Sequence, residues 1–272
     1  MEVTYEDHMG DDLKVVNMAR VSFGKRSEWA DEYTHEGKCG PRLHQELSEA
    51  DQSLIKFLAR GCTSGDWGDL SKEVAEEGHS LVEYMGDDTE FLKLLNHLKN
   101  MPSHWAPFAH CQITLHVKVP LFVQRQLDKH QVGFTTSESS RRYITDGPEF
   151  YVPDVWRKAA DNVKQGSSSD EVDVEEDPDL GRYHTPESFN GVCLSYYTHL
   201  LDLKVASEQA RMVLPQSMYV ESFKTGSLYG WANLYNQRSD PHAQKETQMV
   251  AEQIKNIIQP LYPYSWEALT NG

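Results

Sequence analysis

The segment at residues 129–143, KHQVGFTTSESSRRY, concentrates groups that can hold a phosphate, a sugar and the edge of a base. It carries one lysine and two arginines, together with a glutamate, three serines and two threonines around a single glycine. Arginine offers a planar fork of N–H donors that fits the oxygens of a phosphate. The composition therefore indicates a site for a small anion, although a polar turn leading out of a helix would have the same composition.

The charge around this segment is opposite in sign to the charge of the whole chain. Over 272 residues the formal net charge is −16, which argues against broad nucleic-acid binding because a polyphosphate would be repelled. Residues 118–142 instead contain five lysines and arginines and two carboxylates. The run at 166–180 has seven carboxylates and neither lysine nor arginine, which predicts a solvated, mobile excursion.

Histidines and cysteines are the other candidates for chemistry. His104, His110 and His116 lie six residues apart, which is neither the helical nor the strand spacing of metal ligands, so ordinary hydrogen bonding is the preferred interpretation. The four cysteines form no CxxC pair, so neither a zinc ribbon nor a disulfide framework is predicted. Cys111 is the one candidate nucleophile, and we interpret it as a small buried residue.

The elements that must position the 129–143 segment can be predicted from periodicity. CQITLHVKV at 111–119 alternates apolar and polar residues with the period of a half-buried strand, and LFVQRQLDKH at 121–130 has helical offsets. Further helices are predicted at 186–204, at 241–263 and within 48–99. A short helix with Ser207 as its N-cap is predicted to end at Pro215, with Arg211 partly buried before the apolar MVLP.

The composition is that of a soluble globular protein. No apolar run approaches the roughly 20 residues of a membrane span, and the N-terminus lacks the basic-then-apolar layout of a signal peptide. A cytoplasmic location is therefore expected, or the host cytoplasm if the protein is viral.

Five blocks of the sequence resemble, in the same order, the motifs of flavin-dependent thymidylate synthases, the ThyX family. The blocks are KVVNMARVSFGKR (14–26), HWAPFAH (104–110), RQLDKHQVGFTTSESSRRY (125–143), SEQARMVLPQSMY (207–219) and NQRSDPHAQKE (236–246). The resemblance implies a single α+β domain over 1–272, with a central mostly antiparallel sheet flanked by helices and with insertions near 62–100 and 160–180.

The resemblance also implies an activity. The family transfers the methylene of methylenetetrahydrofolate to C5 of dUMP and reduces it to give dTMP. FAD carries the electrons, NADPH is the expected reductant, and no cysteine nucleophile takes part. The expected assembly is a homotetramer with active sites shared between subunits. The expected partners are therefore dUMP, folate and NADPH, with no nucleic acid, membrane or metal.

Site residues follow from the same matching of motifs. Arg211 and Ser140 are expected to be catalytic. The residues expected to bind dUMP are Gln126, Lys129, Glu138, Ser139, Ser140, Arg141, Arg142, Arg211 and Arg238. The residues expected to bind FAD are Ser22, Lys129, His130, Gln131, Ser227, Asn233, Arg238 and His242.

Several positions depart from the family pattern. Lys129 and Gln131 stand where the family has arginines, Ala109 where it has a glutamate, and Tyr229 where an arginine often contacts FAD. The spacing between the triplet Lys129-His130-Gln131 and Ser140 is also one residue longer than the commoner spacing in the family. Residues of this kind at these positions resemble a divergent or phage-like branch of the family. Two alternatives stay open, namely a non-catalytic nucleotide-binding relative and a metal-dependent phosphohydrolase that uses the three histidines.

Overall fold

The computed structural model describes residues 1–34, 42–60, 104–160, 167–174 and 185–270. In chain order its elements are β1 (Glu2–Met9), α1 (Asp12–Arg20), a 3₁₀ turn (Val21–Phe23), β2 (Ala30–Thr34), β3 (Arg42–Glu46), α2 (Glu49–Arg60), α3 (Ala106–Ala109), β4 (Gln112–Pro120), α4 (Leu121–Leu127), β5 (Phe134–Glu138), β6 (Trp156–Ala159), β7 (Ser167–Val172), α5 (Pro186–Asp202), α6 (Ser207–Ala210), a second 3₁₀ turn (Arg211–Val213), β8 (Tyr219–Ser227), α7 (Leu228–Arg238), α8 (Lys245–Ile258) and α9 (Pro263–Thr270).

These elements group into two compact units. The first comprises Met1–His8, Ile113–Gly226 and Asn233–Ile257, and the second comprises Met9–Gln112, Ser227–Ala232 and Ile258–Gly272. The prediction of a single domain stays a prediction. Of its two expected insertions, 62–100 lies outside the described residues, and within 160–180 only residue 160 and residues 167–174 are described.

The first unit is built on a four-stranded sheet in the order β1-β4-β8-β5. The outer strand β5 pairs antiparallel with β8, from Phe134 opposite Gly226 to Glu138 opposite Ser222. The predicted α+β class, with an antiparallel sheet flanked by helices, is confirmed.

Alternation along β4 explains why this strand lies inside the sheet. Ile113, Leu115 and Val117 are buried, while the intervening polar residues keep partial exposure. Side chains at every second position of a strand face the same side, so the alternation gives one apolar face and one polar face. The strand predicted at 111–119 is confirmed, one residue displaced at each end. Pro120 then begins α4 as its N-cap.

Helices of the first unit confirm two predictions and correct a third. Helix α5 confirms the helix predicted at 186–204. Helix α8 spans Lys245–Ile258 within the predicted 241–263 and is shorter at both ends; before it, Asp240 accepts a hydrogen bond from the backbone N–H of His242 in a turn. The N-cap of α6 is Ala206, so the prediction of a Ser207 cap is wrong. Ser207 instead donates its hydroxyl hydrogen to the backbone carbonyl of Arg142 at 2.7 Å.

Two segments predicted as irregular contain strands. Within 129–143, β5 forms because its backbone completes the ladder along β8, so the alternative of a polar turn applies only to the residues on either side. Within 166–180, β7 pairs antiparallel with β6, so the described part of the acidic run contains a strand, whose side chains are mostly exposed. In both segments a strand forms despite the polar composition, because the backbone pairs with a neighbouring strand.

The second unit contains helices α1, α2, α3 and α9 and the two-stranded antiparallel sheet β2–β3. Helices α1 and α2 each pack against α9. The buried carboxylate of Asp12 accepts hydrogen bonds from the backbone N–H groups of Tyr264 and Ser265, both at 2.9 Å. These N–H groups belong to the first turn of α9 and have no partner within the helix, so Asp12 supplies the missing acceptor. Burial nevertheless raises the pKa of Asp12.

None of the helices in the described ranges is both long and apolar enough to cross a membrane.

Gly226 allows the pairing of β5 with β8, because a Cβ at this position would lie 2.2 Å from the ring of Phe134. We expect Gly226→Ala to displace Phe134 and lower the free energy of unfolding by about 1–3 kcal/mol, measured by urea denaturation. The control is Gly147→Ala, since a Cβ at Gly147 would meet no atom of the other described residues within 4 Å, its chain neighbours aside. Equal effects of the two substitutions would contradict this interpretation.

Candidate active site

Arg238, the last residue of α7, contacts the segment that carries the basic run. Its Nε donates to Nε2 of His130 at 2.9 Å, and its NH2 donates to the backbone carbonyl of Gln126 at 3.1 Å. His130 therefore accepts through Nε2 and is an uncharged imidazole. Burial, followed by the positive charges of Arg238 and Lys224, lowers the pKa of His130 to about 4.

The side chain of Gln126 is held from two sides. Its amide nitrogen donates to Oε1 of Gln244 at 2.6 Å, and its amide oxygen accepts from the hydroxyl of Thr247 at 3.1 Å. Gln244 in turn donates to Glu246 at 3.0 Å. One N–H and one oxygen lone pair of this amide are not used by these two bonds, and the contact of Gln126 with a nucleotide stays a prediction.

Glu246 anchors this chain of amides. Its carboxylate is buried and accepts from NH2 of Arg157 at 2.7 Å. Burial alone would raise the pKa of Glu246, but the hydrogen bond from Arg157 keeps it below its usual value. The sequence blocks include Gln244 and Glu246 without indicating this supporting role, and Arg157 lies outside every block.

The hydroxyl-rich stretch after β5 extends the sheet ladder and then turns outward. Ser139 donates its backbone N–H to the carbonyl of Glu221 at 2.8 Å, and its hydroxyl accepts from the N–H of Glu221 at 3.2 Å.

Ser140 accepts from both the backbone N–H and Nε of Arg142 at 3.4 Å. The guanidinium of Arg142 lies 5.2 Å from the ring centroid of Tyr143. Glu138 and Arg142 are exposed, and Arg141 donates to the carbonyl of Asp146.

Arg211 is exposed, so the prediction that it is partly buried is wrong. It follows a helix of four residues, and its Nε donates to the backbone carbonyl of Glu208 at 3.3 Å. The apolar residue that follows, Met212, is 79% exposed, so no apolar packing draws the arginine inward. The bond from Ser207 to the carbonyl of Arg142 joins the segments that carry Arg211 and Arg142.

The predicted flavin contacts of the first unit include several accessible donors. Lys129, Gln131 and His242 are exposed, and Asn233 is partly buried. His242 is oriented by Asp240, whose Oδ1 accepts from its backbone N–H at 2.7 Å and lies 3.0 Å from Nδ1. A cation and side-chain N–H donors suit the diphosphate and ring carbonyls of a flavin dinucleotide, so these residues fit that group.

In the second unit the two predicted flavin contacts differ in accessibility. Ser22 is exposed in the 3₁₀ turn that follows α1. Ser227 is buried, and its hydroxyl accepts from the backbone N–H of Gly230 at 3.1 Å, which caps the first turn of α7. Ser22 can meet a ligand as it stands, whereas Ser227 has a structural role in the helix.

The carboxylate of Asp51 binds residues on both sides of Ser22. The carboxylate accepts from Nε of Arg20 and from the hydroxyl of Ser27, both at 2.8 Å, and from the hydroxyl of Ser48 at 2.7 Å. Burial alone would raise the pKa of Asp51, but these hydrogen bonds keep it below its usual value. Arg20, which lies in the block KVVNMARVSFGKR, therefore holds the turn in place.

Cys111 is buried in the second unit, as predicted. Its Sγ lies 3.7 Å from the carbonyl of Asp11, and burial raises the pKa of its thiol to about 12. A thiol with this pKa carries almost no thiolate near neutrality, so it is a poor nucleophile.

The three histidines are engaged in ordinary contacts or exposed. His104 lies beside Phe57, with ring centroids 5.1 Å apart, and His116 lies 3.4 Å from Glu221. Among the residues that the structure describes, no group of three or more His, Cys, Asp or Glu side chains could hold a metal ion. The geometry gives the phosphohydrolase alternative no support.

Comparison with known proteins gives concordant matches. A family model described as thymidylate synthase complementing protein matches residues 5–264. The flavin-dependent thymidylate synthase of Thermosipho africanus is 38% identical over 264 residues, covering 96% of this chain and 87% of that protein. The flavin-dependent thymidylate synthase of Kosmotoga olearia is 34% identical over 220 residues, covering 73% of this chain and 93% of that protein. A crystal structure of the UMP/dUMP methylase PolB from Streptomyces cacaoi bound with 5-Br UMP has a TM-score of 0.65 and 25% identity, covering 99% of this chain and 94% of that one.

Asp51→Asn should destabilise the protein by about 1.5–3 kcal/mol at neutral pH, because Arg20 loses its charged acceptor. A carboxyl whose pKa is lowered by folding stabilises above its unfolded pKa and loses that contribution as the pH falls through its folded pKa. The difference from wild type should therefore shrink toward about pH 3. Urea denaturation at both pH values measures this, with Glu49→Gln, at an exposed carboxylate of the same helix, as control. A difference that is constant with pH would contradict the assignment.

Proposed function

Because the chain belongs to the thymidylate synthase complementing protein family, whose matched members are flavin-dependent thymidylate synthases, we infer that it methylates dUMP to give dTMP. The observation that carries this conclusion is the identity to the Thermosipho africanus synthase over nearly the whole chain. The enzyme is a flavin-dependent methyltransferase, and FAD is its cofactor. Methylenetetrahydrofolate as the carbon donor and NADPH as the reductant complete the proposed reaction.

The residues of the first unit suit an anionic nucleotide. Arg238 and the exposed Arg142 and Arg211 provide guanidinium groups, and Ser140 provides a hydroxyl. We assign the phosphate and the uracil to these groups because guanidinium stabilises both a phosphate and the charge that develops on the ring as C5 becomes electron-rich.

Within the first unit, the cofactor would be held by the exposed Lys129, Gln131 and His242, together with Asn233. The flavin contact of Ser22, in the second unit, stays a prediction. Bound flavin supplies the reducing equivalents of the reaction. His130 orients Arg238 through its Nε2. The direct contacts of His130 and Ser227 with the flavin stay predictions, since both side chains have partners within the protein.

We further propose a homotetramer that shares its sites between subunits, in the cytoplasm. In the part of the chain that the structure describes, Arg142 and Arg211 are exposed and form no ion pair with a carboxylate. Exposed cations in a chain of net charge −16 are most useful where several subunits bring them to one anion. Light scattering of the purified protein tests the assembly.

The purified protein, supplied with FAD, NADPH and methylenetetrahydrofolate, should convert dUMP to dTMP and show a flavin absorption spectrum. A variant with all four cysteines replaced by serine should keep this activity, because the mechanism needs no thiolate. Activity lost on a single cysteine change, with fold and flavin retained, would indicate a covalent mechanism. Binding of dUMP without oxidation of NADPH would instead identify a non-catalytic relative.

Arg211→Ala should weaken dUMP binding roughly ten- to a hundredfold, the loss of about 1.5–3 kcal/mol from one charge-assisted hydrogen bond, and should leave FAD affinity nearly unchanged. Isothermal titration with dUMP and fluorescence titration with FAD measure the two affinities. Lys158→Ala, which removes one exposed positive charge from β6, is the matched control. Unchanged dUMP affinity would mean that Arg211 has only its contact with Glu208.

A further inference from the structure

Helix α5 has apolar residues on two sides, and only one of these sides is buried. Tyr197 is buried, and Leu194 and Leu201, one turn to either side of it, are partly buried. A surface helix of a globular protein normally turns polar residues toward the solvent on its other side. The outward side of α5 instead carries large apolar residues, so packing within one chain does not explain its composition.

Five residues form this outward side, which we call the α5 stripe: Phe189, Val192, Tyr196, Leu200 and Leu203. Leu200 is partly buried, and the other four are between 48% and 63% exposed. At 3.6 residues per turn, the five directions fall within about 80° of one another and extend for about 21 Å along the helix. A continuous apolar surface of this kind on a soluble protein marks a contact with another molecule.

Charge distinguishes between the kinds of partner that the α5 stripe could take. Helix α5 contains two carboxylates and neither lysine nor arginine, in a chain of net charge −16. An anionic membrane surface or a nucleic acid would therefore be repelled. The stripe itself carries no charge at neutral pH, so two copies of it can meet without placing like charges against each other.

The spacing of the α5 stripe makes it complementary to itself. From Phe189 to Leu203 the steps along the chain are 3, 4, 4 and 3 residues, the same from either end, with Tyr196 at the centre. A two-fold axis through Tyr196 would pair two antiparallel helices, with Phe189 against Leu203 and Val192 against Leu200. Soluble homo-oligomers are most often built from such contacts, in which both subunits use the same surface.

The same helix supports a segment of the candidate active site. Helix α5 packs against α6 and against the 3₁₀ turn that begins with Arg211. Ser207, in α6, donates to the backbone carbonyl of Arg142 at 2.7 Å. A contact between two α5 helices would therefore restrain the segment that carries Arg211 in each chain.

We propose that the α5 stripe is the surface on which a second copy of this chain docks, in an antiparallel helix pair centred on Tyr196. This inference rests on the proposed function, because the homotetramer with shared sites is proposed there. It adds the residues that join two subunits and the direction in which their helices run. Phe189 and Tyr196 supply the large aromatic contacts that are enriched in the cores of protein interfaces.

A charge at the centre of the α5 stripe should separate the subunits. In Tyr196→Lys two ammonium groups would meet at the axis, out of water, and would have no carboxylate to pair with. We expect the mass measured by light scattering to fall to half of the wild-type value or less. The matched control is Thr198→Lys, since Thr198 is exposed on another side of the same helix and should keep the wild-type mass. Circular dichroism shows whether both variants retain their helices.

Cysteine cross-linking tests the axis and the direction of the helices, in the variant with all four cysteines replaced by serine. A disulfide needs Cα atoms about 4.4–6.8 Å apart, which a residue can satisfy with its own copy only near a two-fold axis. On oxidation, Tyr196→Cys should give a covalent dimer and Thr198→Cys should not. Phe189→Cys should cross-link with co-expressed Leu203→Cys, because the helices run antiparallel, and should not cross-link with itself.

Four results would overturn the proposal. They are a monomeric wild type, whose stripe would then be open to a different protein, an unchanged mass of Tyr196→Lys, equal cross-linking of Tyr196→Cys and Thr198→Cys, and cross-linking of Phe189→Cys with itself. Failure of the proposed function is distinguishable, because mass and cross-linking are measured without substrate. An assembled protein that makes no dTMP would contradict the function and leave the interface in place.

Discussion

The antiparallel pairing of β5 with β8 is the constraint on which the candidate site depends. The pairing sets Thr136 opposite Lys224 and Glu138 opposite Ser222, and it continues through Ser139 and Glu221. Because successive side chains of a strand alternate between faces, a shift of one residue would turn every hydroxyl of β5 to the other side. Gly226 permits the register, since any larger residue would meet the ring of Phe134.

A second constraint is a series of hydrogen bonds that leads from the buried carboxylate of Glu246 to the guanidinium of Arg238. Arg157 holds Glu246, Glu246 holds Gln244, and Gln244 holds Gln126. The backbone carbonyl of Gln126 then accepts from Arg238. Side chains restrained in this way lose little further entropy when a ligand binds, which is the advantage of a preorganised site.

Sequence reasoning predicted elements with a strong period and missed those decided by tertiary pairing. The alternation in β4 and the helical period in α5 reflect burial of one face, which one sequence can display. The strands β5 and β7 each have a single apolar residue and form because a partner strand offers hydrogen bonds. The motif blocks indicated Arg238 and His130 but not their contact, and the adjacent Phe223 and Lys224 of β8 lie outside every block.

The buried ammonium of Lys224 also affects the order in which distant parts of the chain fold and open. Its partners, Asp128 and Thr136, lie 96 and 88 positions away in sequence, so the charge stays in water until β5 has joined β8. Separating β5 from β8 would remove the hydrogen bond from the ammonium of Lys224 to Thr136, which makes opening of this pair costly. The amide hydrogens of the two strands should therefore exchange with solvent deuterium as one cooperative unit.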